Sequence, residues 1–222
     1  NGTDATYGFN NGIDINLKYA SYSNITIKEC DITNSGFMGT ATDPQNPAAV
    51  AIKARDDASS YNTNPASLNN VTIINNRISG PRNGIRIGEF GKINNTPTNL
   101  KIEGNDLSFG FANKTIVSRI NSNVNVTCNW HGTTNLATII ASFAQAGTGS
   151  IQLSTVLSTG ADASGAVGFQ PSGSCVCASG NLVTNTNTAE TFCAIQAAID
   201  DADTQNGHII TVGPGTYFEN LV

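Results

Sequence analysis

One short pattern is written three times in this chain: Asn24-Ile-Thr-Ile-Lys-Glu-Cys-Asp-Ile32, Asn70-Val-Thr-Ile-Ile-Asn-Asn-Arg-Ile78 and Asn99-Leu-Lys-Ile-Glu-Gly-Asn-Asp-Leu107. Each copy opens on Asn, alternates apolar with polar residues, places Cys30, Asn76 or Asn105 at a shared position, and closes on Ile or Leu. A glycine follows soon after each, at Gly36, Gly80 and Gly110. Alternation with a period of two is the signature of a strand with one buried face. A strand this short cannot bury that face alone, so the copies must stack on one another.

A second set of short strands interleaves with the first: Gly12-Ile-Asp-Ile-Asn-Leu17, Ala49-Val-Ala-Ile-Lys-Ala54 and Gly84-Ile-Arg-Ile-Gly-Glu89. These recur at intervals of roughly 35 residues, within the range of solenoid coils. A weaker coil runs through Ile116-Val-Ser-Arg-Ile120 and Val124-Asn-Val-Thr-Cys128, and an insertion spans residues 43–67. The predicted fold is all-β: a parallel solenoid whose like residues stand above like, with Asn76 and Asn105 stacking at an inward turn where their amides bond along the ladder.

The organisation predicted from these patterns has three parts. Residues 1–132 form the coils, residues 133–187 a closing cap and Gly/Ser/Ala-rich linker, and residues 188–222 a helix followed by the first coil of another unit. Within the linker region Asn135–Phe143 reads as a short helix, and Gly147–Ser174 as irregular. The helix near the C-terminus is read from the stripe Phe192, Ile195, Ala198, Ile199 and Ala202, with Thr188 as its N-cap.

Composition narrows the function classes. The formal net charge is −5 and charged residues make up 12% of the chain, with no run of Lys or Arg. That leaves no electrostatic footprint for nucleic acid. No apolar run approaches the roughly 20 residues of a membrane helix, so membrane insertion by a helix is not expected. Among the five cysteines, Cys175-Val-Cys177 lacks the two-residue gap of zinc sites, so no metal centre is expected there. Cys193 is expected to pair with Cys175 or Cys177, which suits an extracellular, oxidising setting. Cys30 is expected to be a small buried hydrophobe.

The block from Ile195-Gln-Ala-Ala-Ile-Asp to Ile209-Ile-Thr-Val-Gly-Pro-Gly-Thr-Tyr-Phe-Glu-Asn220 resembles the opening of right-handed parallel β-helix proteins of the pectate-lyase-like superfamily. The copies at Asn24, Asn70 and Asn99 resemble the middle coils of that superfamily. Cys128-Asn-Trp-His-Gly132 and Gly168-Phe-Gln-Pro-Ser172 resemble closing segments of such helices in large secreted bacterial surface proteins. The resemblance implies a right-handed parallel β-helix with a short amphipathic capping helix near the C-terminus. An opening cap that follows a closing segment implies a piece of a longer tandem array, with a circular permutation as the rarer alternative.

The function expected is therefore structural and adhesive: a stalk, filament or adhesin module on the outside of a cell. Its partners would be neighbouring β-helix modules of the same polypeptide or filament, and surface glycans. The alternatives are a polysaccharide lyase or glycoside hydrolase acting on an acidic polysaccharide, and a non-catalytic carbohydrate-binding module. A catalytic reading would place its chemistry on Arg55, Asp56, Asp57, Arg86 and Glu89, which fall on adjacent coils. Such lyases use Ca²⁺ to neutralise a uronate beside a basic residue that takes the proton; paired carboxylates would instead cleave a glycoside. The structural reading of the same residues is an ion-pair cluster that holds the inserted loop. It needs no catalytic residue, cofactor or metal. Trp130 and His131 are expected to cover the end of the coils, and Tyr7, Tyr19, Tyr22 and Tyr61 to offer aromatic surface.

Overall fold

The computed structural model describes residues 11–36, 45–57, 59–80, 82–89, 91–178, 182–217, 219 and 221–222. The first half of the chain forms β1 (Ile13–Leu17), β2 (Ser21–Lys28), β3 (Asp31–Ile32), β4 (Val50–Ala54), β5 (Ser67–Ile74), β6 (Arg77–Ile78), β7 (Asn83–Ile87) and β8 (Thr98–Glu103). There follow β9 (Lys114–Ser118), β10 (Val124–Thr127), α1 (Leu136–Ala141), β11 (Phe143–Gln145), β12 (Ile151–Leu153) and β13 (Thr155–Leu157). The last part holds β14 (Cys175–Cys177), β15 (Val183–Asn185), β16 (Glu190–Phe192), α2 (Ile195–Ile199) and β17 (Ile210–Val212).

Ten of these strands make two five-stranded parallel sheets, ordered β1-β4-β7-β9-β11 and β2-β5-β8-β10-β12. The chain visits the sheets in turn, so each new strand adds to the edge left by the strand two visits before. The register puts like on like. Ile13, Val50, Ile85, Ile116 and Phe143 form one column across the first sheet. Ile25, Val71, Leu100, Val124 and Ile151 form another across the second, and Ile27, Ile73, Ile102, Val126 and Leu153 a third. The inner members of these columns are fully buried and share one core. Burial of each aliphatic side chain contributes about 1.5–3 kcal/mol.

The Asn that heads each copy has a backbone reason. Asn24, Asn70 and Asn99 adopt left-handed conformations, with φ of 61°, 62° and 49°. Asn tolerates that region better than most residues. Pairing of β2 with β5 skips Asn24 and Asn70, so the strand bulges there before the apolar run resumes. Five residues further on a second left-handed column appears at Glu29, Asn75, Gly104 and Cys128. Gly104 adopts this φ without strain, and a Cβ there would press only on the tip of the Asn75 side chain, with Oδ1 at 2.5 Å.

The residues after this second column form a buried amide ladder. Backbone N–H of Cys30 donates to Asn76 Oδ1 at 3.1 Å, that of Asn76 to Asn105 Oδ1 at 2.9 Å, and that of Asn105 to Asn129 Oδ1 at 2.9 Å. Each Asn Nδ2 also donates to a carbonyl of the neighbouring strand, as Asn105 does to Ile73 O and Asn129 to Ile102 O. Asn129 extends the ladder past the two members read from the repeats. Cys30 is half-buried against the core at the ladder's other end, with its thiol directed at Lys28 O.

Several elements differ from the sequence expectation. The parallel sheets continue past residue 132, because β11 and β12 each add a three-residue strand. The helix expected from Thr188 is shorter: Glu190–Phe192 is a strand, and α2 starts after Ala194, which gives no side-chain cap. Its start is capped from afar instead, since Glu219 accepts from the N–H groups of Ile195 at 2.7 Å and Gln196 at 2.9 Å. β15 pairs antiparallel with both β16 and β17. Two disulfides join this end to the parallel sheets: Cys128–Cys175 and Cys177–Cys193. The Cys177 bond is one of the two pairings left open by the sequence; the Cys128 bond was not foreseen. Cys175 and Cys177 lie two apart on one strand and so share a face.

Candidate functional site

Of the charged residues singled out by the sequence, Arg55, Asp57 and Glu89 converge just past β4 and β7, which run side by side with Ala51 opposite Arg86. Past the end of β4 the chain supplies Arg55 and Asp57; past β7 it supplies Glu89 and Lys92. Arg55 grips Asp57 through both Nε and Nη2, the latter at 2.6 Å, and its Nε lies 3.2 Å from Glu89 Oε2. Lys92 Nζ stands 2.9 Å from Asp57 and 3.5 Å from Glu89. Lys53, almost wholly buried, approaches the other oxygen of Glu89 at 3.9 Å. The Arg55 guanidinium lies 4.5 Å from the centre of the Tyr61 ring, which in turn packs on Tyr19 at 5.1 Å.

The electrostatics follow from this pairing. The hydrogen bonds from Arg55 hold the Asp57 carboxyl well below the usual carboxylate range, with Lys92 adding to the effect. The same bonds to Asp57 hold Arg55 protonated more firmly than usual. Burial lowers the Lys53 ammonium from its ordinary value, partly offset by Glu89. Asp56 takes no part in these pairs.

Arg86 is fully buried. Its Nε donates to Asn46 O at 2.6 Å and its Nη1 to Gly88 O. The segment 45–48 packs against the first sheet, where Asn83 Nδ2 donates to Pro47 O at 2.6 Å and, beyond β9, Arg119 Nη2 donates to Gln45 Oε1 at 3.0 Å. This cover explains why every residue of β4 and β7 is buried, including those the alternation directs away from the core. The loop-holding reading had Arg86 paired with acids; the structure bonds it to backbone carbonyls beneath the inserted loop instead. The carboxylates of the cluster are paired with cations, and the buried arginine is bonded to backbone carbonyls. Such an arrangement can clamp the inserted loop against the first sheet.

Two other places offer polar groups. The outer face of the second sheet is open, and its register aligns Thr26, Thr72, Lys101, Asn125 and Gln152. A shallow depression of about 540 Å³ lies there, bordered by Asn99, Asn123 and Gln152 among others. Near α2, carboxylate oxygens of Glu190, Asp201 and Asp203 lie within 4.8 Å of one another. Their oxygen set suits a hard cation such as Ca²⁺, and the Asp-x-Asp spacing at 201–203 is the sequence signal for it. Asp201 Oδ1 already accepts from the Asp203 N–H at 3.0 Å.

The remaining aromatic expectations divide. Trp130 packs at the far end of the sheets, its indole so close to Gly160 that a Cβ there would meet Nε1 at 2.2 Å. His131 stacks edge-on to Phe143, with ring centres 5.8 Å apart. Neither of its ring nitrogens has a hydrogen-bond partner among the described residues, and burial pushes its pKa down to about 4. Tyr22 is exposed and donates to Lys18 O. Tyr7 lies outside the described residues.

No protein-family model matches this chain, and no solved structure matches it. A curated relative, the cell surface glycoprotein of Methanothermus fervidus, is 58% identical over 40 residues. That match covers 18% of this chain and 7% of the relative, so the chain spans a small part of the relative's length.

Proposed function

We propose that the chain is a segment of a right-handed parallel β-helix that serves as a stiff structural and adhesive module on a cell surface. One observation carries the reading: ten strands alternate between two parallel sheets in unbroken register, sealed by a buried amide ladder. Nearly every backbone group in such a stack is paired, which resists proteolysis and bending. The partial likeness to a cell surface glycoprotein and the two disulfides support a location outside the cell. Modules stacked end to end would form a stalk or filament, and the exposed loops would carry its contacts.

Immunogold electron microscopy of intact source cells tests this reading. Label on the outer surface is the expected result, and label confined to the cytosol would end it. A second reading, carbohydrate binding without turnover, is favoured by the open Asn-, Thr- and Gln-rich depression on the second sheet. Glycan-array binding that Asn123→Ala together with Gln152→Ala abolishes would support that reading. The lyase or glycosidase alternative requires turnover of an acidic polysaccharide, with or without Ca²⁺, that Arg55→Ala removes while the fold survives.

A further inference from the structure

Five Asn-x-Thr sequons lie in the described part of the chain, at Asn24, Asn70, Asn94, Asn113 and Asn125; another at Asn1 lies outside it. A sequon is accepted only when the asparagine amide and the threonine hydroxyl both reach the transferase. The fold treats these five differently. Asn94 is buried, its Nδ2 donates to Ala54 O at 2.9 Å, and the hydroxyl of its partner Thr96 is buried. Asn113 Nδ2 donates to the Oδ1 of fully buried Asn83 at 2.8 Å, and its partner Thr115 is buried. Asn125 is exposed, but its partner Thr127 is bonded through Oγ1 to Thr155 at 2.6 Å and accepts from Ser154.

Asn24 and Asn70 are the exceptions. Both are exposed, and both sit in the left-handed bulge that interrupts sheet pairing. Thr26 is exposed and Thr72 half-buried, and they share a column on the open face of the second sheet. No bond ties either hydroxyl to another described residue. Asn24 Nδ2 has one long contact, 3.4 Å to Ser23 Oγ, while Asn70 Nδ2 donates to Asn24 Oδ1 at 2.7 Å.

We propose that Asn24 and Asn70 are N-glycan acceptors on the open face of the second sheet, and that the fold closes Asn94, Asn113 and Asn125. The donor class is a lipid-linked oligosaccharide. The bond between the sugar C1 and the lipid phosphate oxygen breaks, a C1–Nδ2 bond forms, and Nδ2 loses one proton while the lipid phosphate leaves. Asn70 must give up its bond to Asn24 to react, so Asn24 is filled first. The proposal borrows from the surface reading only the route by which the chain meets a transferase, and its test is independent of location.

The test compares the folded, disulfide-bonded chain with the reduced, unfolded chain. Both are incubated with a purified oligosaccharyltransferase and a lipid-linked oligosaccharide, and occupancy is read by glycopeptide mass spectrometry. In the folded chain, occupancy at Asn24 and Asn70 is expected to exceed that at the other three by at least tenfold. In the unfolded chain the five are expected to converge. Thr26→Val and Thr72→Val should each silence their own site alone. Comparable occupancy of Asn94, Asn113 or Asn125 in the folded chain overturns the proposal. So does failure of Asn24 and Asn70 in the folded chain, whatever the unfolded chain accepts.

Discussion

Asparagine does two jobs here, and the neighbouring backbone decides which. Asn99 heads its copy in a left-handed bulge. Asn99→Val is expected to cost about 1–2 kcal/mol from backbone strain, and Asn99→Gly to be near neutral, as urea unfolding would measure. Asn105 works inside instead, where it bonds both neighbouring strands. Asn105→Ala orphans a buried N–H of Asn76 and the carbonyls it serves, so a loss of about 2–4 kcal/mol is expected by the same measurement. Cys30→Asn, at the half-buried end of the ladder, should be tolerated, because its thiol already points at the carbonyl an amide would reach. The repeated Asn was legible in the sequence as a marker of register. Its left-handed φ was not, because the same letter serves both jobs.

At the scale of elements, the long alternating strands were readable because two-residue periodicity survives over five to eight residues. β11 and β12 were not, since three residues carry no period and a Gly/Ser-rich stretch hides the second. The buried outer face of β4 and β7 was equally hidden. It depends on residues 45–48, next to β4 in the chain, also bonding to β7 some forty positions away. For that reason the sequence offered acids as the partners of Arg86, and its bonds to backbone carbonyls were not legible. The Cys128–Cys175 disulfide escaped for a related reason, and the choice between Cys175 and Cys177 for Cys193 stayed open, as sequence offers candidates for pairing without the geometry to choose. Cys128–Cys175 closes a loop of 47 residues. Replacing both cysteines by Ser should lower stability by about 4 kcal/mol on the loop-entropy account, seen as an earlier denaturant midpoint than in the intact protein.

At the scale of the whole molecule, His131 gives stability a pH dependence. Its folded pKa of about 4 lies below the ordinary 6.5. Below pH 6.5 the unfolded chain takes a proton that the folded chain refuses, so stability is full above that pH and declines towards pH 4, levelling off beneath it. The greatest loss is about 3 kcal/mol. Asp57 has the same sign in a lower window, below the usual carboxylate range. Denaturant midpoints measured from pH 7 to pH 4 should fall for the wild type and stay flatter for His131→Leu. The two cystine bridges have a mechanical consequence as well. Tension entering from the C-terminal side passes from Cys193 to Cys177, along one strand to Cys175, and across to Cys128. Residues 129–174 and 178–192 are off that load path, so the fifth pair of parallel strands, α1 and β15 are shielded from any pull on the flanks. In single-molecule extension, added reductant should release roughly 200 Å of hidden chain. Without reductant, the module is a tether of limited reach whose last section cannot be drawn out.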